Sequence, residues 1–360
     1  MPNNRRVLIT GNNGYIGSVM APWLRSHDYD VLGFDTEYFA LCTFVADRAE
    51  IPTLRKDLRD VTASDLAGFD AVIHLAALSN DPLGSLNKSW TWDINHEGTV
   101  RLAHAAKQAG VSRFILSSSC IMYGMSEAAV ADENSPLAPQ TEYARTKVSA
   151  ERALRELADD GFSPTFCRNG TIYGVSPRMR FDTVLNNFMG SAFTTGSVVI
   201  HSDGTPWRPV VHVQDVARAF QAVLEAPREL VHNQAFNVGA DDLNHQIREV
   251  GQIVAETVPA CKLAMLPQPG ADQRTYKADF AKFKRTFPAF DFRWTVRKGA
   301  DELHSAFRRI GLTHDKFTDK RFTRLSWLRS LLDSGSVDGS LRWAEGAARA
   351  DQSRRRISVA

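Results

Sequence analysis

The strongest constraint on the fold sits near the start of the chain. Val7-Leu8-Ile9-Thr10 reads as a buried strand and runs directly into Gly11-Asn12-Asn13-Gly14-Tyr15-Ile16-Gly17, after which apolar residues recur at three and four up to Arg25. Three glycines between a strand and a helix allow a tight turn, a close approach of the backbone to a pyrophosphate and intimate packing of helix on sheet. The helix N-terminus then offers N–H groups and a positive dipole end to phosphates, so Gly11, Asn13, Gly14, Tyr15, Ile16 and Gly17 are the first candidate cofactor contacts. A second apolar run, Val31-Leu32-Gly33-Phe34, ends in Asp35, 18 residues past Gly17 and close to the spacing of about 20 expected of a carboxylate that bonds the adenosine ribose hydroxyls. Thr36 and Glu37 follow, with no Arg or Lys to receive a 2′-phosphate, which points to NAD rather than NADP.

The remaining first half alternates short apolar runs with amphipathic stretches. Ala71 to Leu75, Phe114 to Leu116 and Thr165 to Cys167 read as strands, and Trp90 to Ala109 and Tyr143 to Leu157 as helices. Continuous apolar strands between amphipathic helices predict an α/β fold of the Rossmann type, a doubly wound parallel sheet buried on both faces. Beyond about residue 170 the pattern loosens. Strand signals at Val198 to Ile200 and Ala235 to Val238 mix with helical ones at Val213 to Leu224 and Ile247 to Thr257, and Leu266-Pro267-Gln268-Pro269-Gly270 interrupts them. We therefore expect a dinucleotide domain over 1–170, a smaller C-terminal substrate-binding lobe over 171–332 with segments returning to the sheet, and a loosely ordered tail over 333–360 that is rich in Ser, Gly, Ala and Arg.

Composition excludes several alternatives. With 43 basic and 41 acidic side chains the net charge is +2, which gives no electrostatic reason for nucleic acid or a membrane surface as partner. No apolar run approaches the roughly 20 residues that span a bilayer. Cys42, Cys120, Cys167 and Cys261 are far apart, form no CxxC pair and combine with no zinc-type histidine spacing, so reduced thiols, no metal site and a cytoplasmic location are expected. The opening MPNNRR leads straight into the first strand, so no signal peptide is expected.

The chemistry points to Tyr143-Ala144-Arg145-Thr146-Lys147. A phenol and an ammonium at i and i+4 share one helix face. Removing hydride from a carbinol requires loss of the hydroxyl proton, and a free tyrosine with a pKa near about 10 is a poor base. An adjacent ammonium and the positive nicotinamide ring of NAD favour the tyrosinate. Upstream, Phe114-Ile115-Leu116-Ser117-Ser118-Ser119 ends at the carboxyl edge of the sheet, where α/β folds bind ligands.

Taken in order, the GxxGxxG turn, Asp35, the serine strand and the YxxxK pair resemble the extended short-chain dehydrogenases/reductases, and in kind the sugar-nucleotide epimerases and dehydratases such as UDP-galactose 4-epimerase. The resemblance runs from about residue 5 to about 310. It implies Tyr143 as acid/base, Lys147 as its cationic partner and holder of the nicotinamide ribose, and Ser119 as the group orienting the substrate oxygen. Further cofactor contacts are implied at Asp57, Leu58, Leu75, Ala76, Ala77, Asn95 and Ser117. Substrate contacts are implied at Ser119, Cys120, Tyr143, Thr171, Asn187, Arg208 and Arg274, with the arginines suited to a diphosphate through their planar fork.

Three departures from the family pattern bear on the reaction and the substrate. Cys120 and Ile121 stand where 4,6-dehydratases carry the Asp-Glu that eliminates water, which disfavours that activity. Thr171 replaces a common substrate-binding Asn, and Ser79 stands where the 4-epimerase has a cofactor-contacting Lys. The resemblance thus implies an NAD-dependent 4-epimerase of a nucleotide-linked sugar, with a reductase or oxidase of a nucleotide-linked keto sugar as the alternative and a catalytically silent NAD-binding regulator as a third reading. It also implies a homodimer, with Trp90 to Ala109 and Tyr143 to Leu157 as the pairing helices.

Overall fold

A computed structural model of the protein describes residues 5–45, 49–79, 87–124, 130–268 and 274–345. In chain order, β1 (Arg6–Thr10) leads through the glycine turn into α1 (Gly17–Arg25), then β2 (Asp30–Asp35), β3 (Thr53–Arg55) and β4 (Ala71–His74). The next helical stretch starts at Lys88–Trp92, widens into a π turn over Asp93–Glu97 and continues as α2 (Gly98–Gln108), followed by β5 (Arg113–Ser119), α3 (Glu142–Leu157) and β6 (Ser163–Asn169). The second half contains β7 (Thr171–Tyr173), α4 (Val184–Thr195), β8 (Ser197–Ile200), β9 (Trp207–His212), α5 (Val213–Glu225), β10 (Gln234–Val238), β11 (Asn244–Gln246), α6 (Ile247–Thr257), β12 (Lys262–Met265), α7 (Val296–Ile310) and α8 (Arg324–Asp333).

Seven strands form one parallel sheet in the order β10-β6-β5-β4-β1-β2-β3. Successive strand residues face opposite sides, so β1 sends Val7 and Ile9 toward α1 and α5, where they meet Met20, Leu24, Val216 and Phe220. Leu8 points the other way, into Leu102, Phe114 and Leu154 on the side of α2 and α3. Both faces are thus covered, which is why the strands read as unbroken apolar runs. The strand order reverses between β1 and β4, where Thr10 pairs with His74, and open α/β sheets place their ligands at that crevice.

After β6 the chain builds a smaller layer from a three-stranded sheet, β11-β9-β7, and a two-stranded one, β12-β8. Its core gathers Phe181, Met189, Val254, Leu303 and Phe307 beneath α4, α6 and α7. The chain returns to the main sheet through α5 and β10, which bring Val216, Phe220 and Phe236 into the larger core.

The composition of the last residues misled the expectation of loose order from Asp333. Over 334–345 the chain is docked: Val337 and Leu341 are buried with Trp327, Leu328 and Leu331 against Tyr38, Cys42, Leu78 and Ile94. A few large apolar anchors decide the outcome, and they are diluted among small and charged neighbours. Residues 346–360 lie outside the described ones. Leu341 is fully buried, so Leu341→Ala is expected to cost about 2–5 kcal/mol of stability, read as a lower denaturation midpoint. A loss below about 0.5 kcal/mol, the usual cost at a free surface, would contradict the docking.

Candidate active site

The carboxyl ends of β1, β2, β4 and β5 open into a cavity of about 600 Å³ that the smaller layer closes from the other side. At one end lies the glycine turn. Gly11 adopts φ +72°, and a Cβ there would approach the Ala76 nitrogen to 2.8 Å; a Cβ on Gly17 would overlap the Gly11 carbonyl oxygen. Only glycine lets α1 start this close to the sheet with its N-terminus turned toward the cavity. Gly11, Gly14, Tyr15, Ile16 and Gly17 all line it, as do Leu75, Ala76 and Ala77 on the neighbouring strand end.

Asp35 also faces the cavity, held by its own turn. Its carboxylate accepts the Glu37 N–H at 2.6 Å and the Asn13 N–H at 3.0 Å. Burial pushes its carboxyl above the ordinary carboxylate range, against the pull of those two N–H groups. Asn13 is therefore a brace for Asp35, set behind the cavity wall. Asp57 and Leu58 stand beside it, with Asp57 gripped by Arg59 at 2.7 Å. Burial acts to raise the Asp57 carboxyl, but the Arg59 fork and N–H hold it below its usual value.

Asn95 works from behind the wall too. Its side-chain oxygen accepts the Leu78 N–H at 2.8 Å and its amide donates to the Leu78 carbonyl at 3.0 Å, so it extends the β4 edge like a further strand residue. The π turn puts it there. A chain of hydrogen bonds joins this turn to the glycine loop: Thr99 Oγ1 donates to the Asn95 carbonyl at 2.7 Å, and His74 contacts Thr99 Oγ1 at 2.8 Å and Thr10 Oγ1 at 2.6 Å. Burial and the Lys147 charge push His74 down to about 3, so it is neutral, and with Thr99 already donating, Nε2 carries its proton.

Tyr143 lines the cavity in the first turn of α3, which Thr141 caps by accepting the Ala144 N–H at 3.2 Å. Lys147 is buried one turn on. Its ammonium donates to the Ser117 carbonyl at 2.8 Å and lies 5.7 Å from the centre of the Tyr143 ring. Ser117 and Ser119 line the cavity opposite, at the end of β5. Ser118 turns to Glu151 at 2.6 Å, and Glu151 forms a buried two-pronged pair with Arg168 at 2.7 and 3.1 Å, fixing the strand end against α3.

The other end of the cavity brings together Thr171, Asn187, Arg208 and Arg274. Arg208 reaches the carbonyls of Trp207 and Arg274 and lies 5.5 Å from the Tyr276 ring centre. Cys120 does not join them, contrary to expectation. Its thiol points away from the cavity to the Arg168 carbonyl at 3.1 Å, among Tyr123, Ala131 and Tyr276, and burial pushes its pKa far up. The residue after a strand-end serine faces the core here because Ser119 starts a short 3-10 turn over Cys120–Tyr123. Of the neighbouring segment, Pro269, Gly270, Asp272 and Gln273 lie outside the described residues.

Four cavity residues carried no sequence signal strong enough to single them out: Asn169, Arg180, Asp182 and Arg324. Arg180 and Asp182 form a two-pronged pair at 2.8 and 3.2 Å, and Arg180 also donates to Ser79 Oγ at 3.0 Å. An Arg-x-Arg-x-Asp run in an irregular segment is the one hint.

Burial pushes the Lys147 ammonium down to about 8, with Glu151 opposing the shift. Below that pH Lys147 is charged, and as pH rises through it that charge, 5.7 Å from the Tyr143 ring centre, is lost. Turnover is accordingly expected to fall on the alkaline side near pH 8, and a profile flat from pH 7 to 9.5 would remove the Lys147 charge from the account.

Comparison with known proteins agrees with this architecture. The model of the NAD dependent epimerase/dehydratase family matches residues 7–239. A UDP-glucose 4-epimerase of Corynebacterium glutamicum is 27% identical over 299 residues, covering 78% of this chain and 89% of its own. The solved structure of MoeE5 in complex with UDP-glucuronic acid and NAD is 28% identical with a TM-score of 0.73, over 84% of this chain and 99% of that one. The NDP-hexosamine 5,6-dehydratase TunA, 23% identical, shares the fold with a TM-score of 0.76, over 85% of this chain and 98% of its own. The glycine cradle and Asp35 suit the adenosine and pyrophosphate of NAD, and the chain belongs to the NAD-dependent epimerase/dehydratase family of extended short-chain dehydrogenases/reductases.

Proposed function

We propose that the protein epimerises a nucleoside-diphosphate sugar by transient oxidation at C4. The observation that carries this reading is the makeup of the reacting end of the cavity. Tyr143 and Ser119 stand there with Lys147 behind them, and among the described residues that line the cavity no second acid/base stands beside Ser119. Cys120 is turned into the core and Ile121 offers only an apolar wall. The carboxylates that line the cavity, Asp35, Asp57 and Asp182, are engaged by backbone N–H groups or arginines. Eliminating water needs a further proton donor at C6, whereas reversing one carbon centre does not.

NAD, when bound, would supply a reversible hydride acceptor for C4. Tyr143 takes the O4 proton as the alcohol becomes a ketone and returns it when the alcohol is remade. Ser119 Oγ holds O4 in reach, and the Lys147 ammonium stabilises the phenolate form of Tyr143. Arg208 and Arg274 suit the substrate diphosphate, with Asn187 and Thr171 at the nucleotide and sugar. Holding the sugar by its diphosphate leaves the hexose free to turn over and present its other face. A pair of subunits joined through α2 and α3 is the assembly we infer; no described helix is long and apolar enough to cross a membrane.

Purified protein denatured in acid is expected to release close to one NAD(H) per chain and to interconvert C4 epimers without added cofactor. Protein that carries no dinucleotide and consumes NADH would show a keto-sugar reductase instead. Tyr143→Phe is expected to keep dinucleotide binding and to lower turnover by about 10²- to 10⁴-fold; activity within a few-fold of the parent would displace Tyr143 from its role.

A further inference from the structure

The chain end is docked on the two loops that hold the adenosine side of the cavity. Trp343 Nε1 donates to the Thr36 carbonyl at 2.6 Å, Trp327 Nε1 to the Tyr38 carbonyl at 2.7 Å, and the Tyr38 hydroxyl to the Leu341 carbonyl. Thr36 and Tyr38 belong to the loop that leaves Asp35. The loop after β3 is tied in as well: Arg59, which grips Asp57, donates to the carbonyls of Ser340 at 2.7 Å and Leu341 at 3.1 Å, and Arg342 pairs with Asp60. This segment lies outside the part of the chain that the family model matches.

From under this layer α8 sends one guanidinium into the cavity. Arg324 lines it, is 2% exposed, and lies 4.5 Å from the Phe39 ring centre. Its fork donates to the Arg178 carbonyl at 2.8 Å and the Arg321 carbonyl at 3.5 Å, and among the described residues no carboxylate pairs with it. Asp182, whose Oδ2 accepts the Arg324 backbone N–H at 3.3 Å, is already taken by the Arg180 fork. Two guanidinium groups therefore share one carboxylate in a place withdrawn from water. Burial and the nearby Arg180 charge push the Arg324 pKa down to about 10, the expected sign for a cation short of an anion. Tyr15, on the glycine turn that receives pyrophosphate, lies within electrostatic reach of both.

We propose that Arg324 is a cofactor-anchoring residue whose guanidinium takes the pyrophosphate of NAD, and that the segment 323–343 straps the adenosine end so that the dinucleotide stays bound between turnovers. The inference rests on NAD as cofactor and stands apart from the reaction at C4, although a retained dinucleotide is what a C4 epimerase requires.

The test follows NADH and UDP binding to the full-length protein, freed of retained dinucleotide beforehand, by fluorescence and calorimetry, without turnover. Arg324→Gln is expected to weaken NADH binding about tenfold or more and to leave UDP binding unchanged, since a charge-assisted contact is lost from one ligand only. Arg324→Lys is expected to recover part of the loss. Trp343→Ala, at the rim of the strap, is expected to hasten NADH release with little change in melting point, which keeps the test open should Arg324→Gln fail to fold. Parental NADH affinity in Arg324→Gln, together with weaker binding of a nucleotide sugar bearing a carboxylate, would assign the guanidinium to the substrate and overturn the proposal. Unchanged NADH release in Trp343→Ala would overturn the strap.

Discussion

A buried ammonium beneath a phenol is the arrangement on which the rest of the structure converges. Lys147 is withdrawn from water and held by one strand carbonyl, that of Ser117, so its position follows that of β5. β5 is in turn fixed to α3 by Ser118, Glu151 and Arg168, while the Thr141 cap sets where α3 begins and so where Tyr143 points. A charge kept in such a place is expensive for folding. It acts on the phenol with little screening by solvent, which is the gain.

The same logic governs the dinucleotide end. The sheet reverses order between β1 and β4, and the fold places there a glycine turn in which a Cβ on Gly11 or Gly17 would collide with backbone. His74, neutral and hydrogen-bonded on both sides, links the end of β1 through Thr10 to the π turn through Thr99. That turn carries Asn95, which holds the Leu78 backbone. The strand ends that form the cavity wall are thereby joined by a continuous set of hydrogen bonds. Tyr15 extends the linkage to the smaller layer by donating to the Gly174 carbonyl at 2.6 Å, which ties the glycine turn to that layer.

Much of this was legible in the sequence because it depends on local pattern. Strand periodicity, the glycine spacing, Asp35 and the Tyr143–Lys147 interval are all set within one or two elements, and the cavity gathers Tyr143, Ser119, Thr171, Asn187, Arg208 and Arg274 as the order of motifs implies. What escaped depends on contacts between distant segments. Cys120 follows a strand-end serine, yet a single 3-10 turn sends it into the core. Arg180 and Arg324 are 144 positions apart and meet only because α8 folds back over the loop after β2. The order of the last residues rests on Trp327, Leu341 and Trp343, whose partners Thr36 and Tyr38 lie near the other end of the chain.

The most direct test of the proposed reaction is the fate of a deuterium placed at C4 of a nucleotide sugar offered to the protein. If Tyr143 moves only the O4 proton while hydride is exchanged within one retained dinucleotide, the label is found at C4 of the epimer, undiluted by solvent or by added unlabelled NADH. Loss of deuterium to water would mean that a proton is taken from carbon, and its appearance in free NADH would mean that the cofactor leaves between half-reactions; either result contradicts the account.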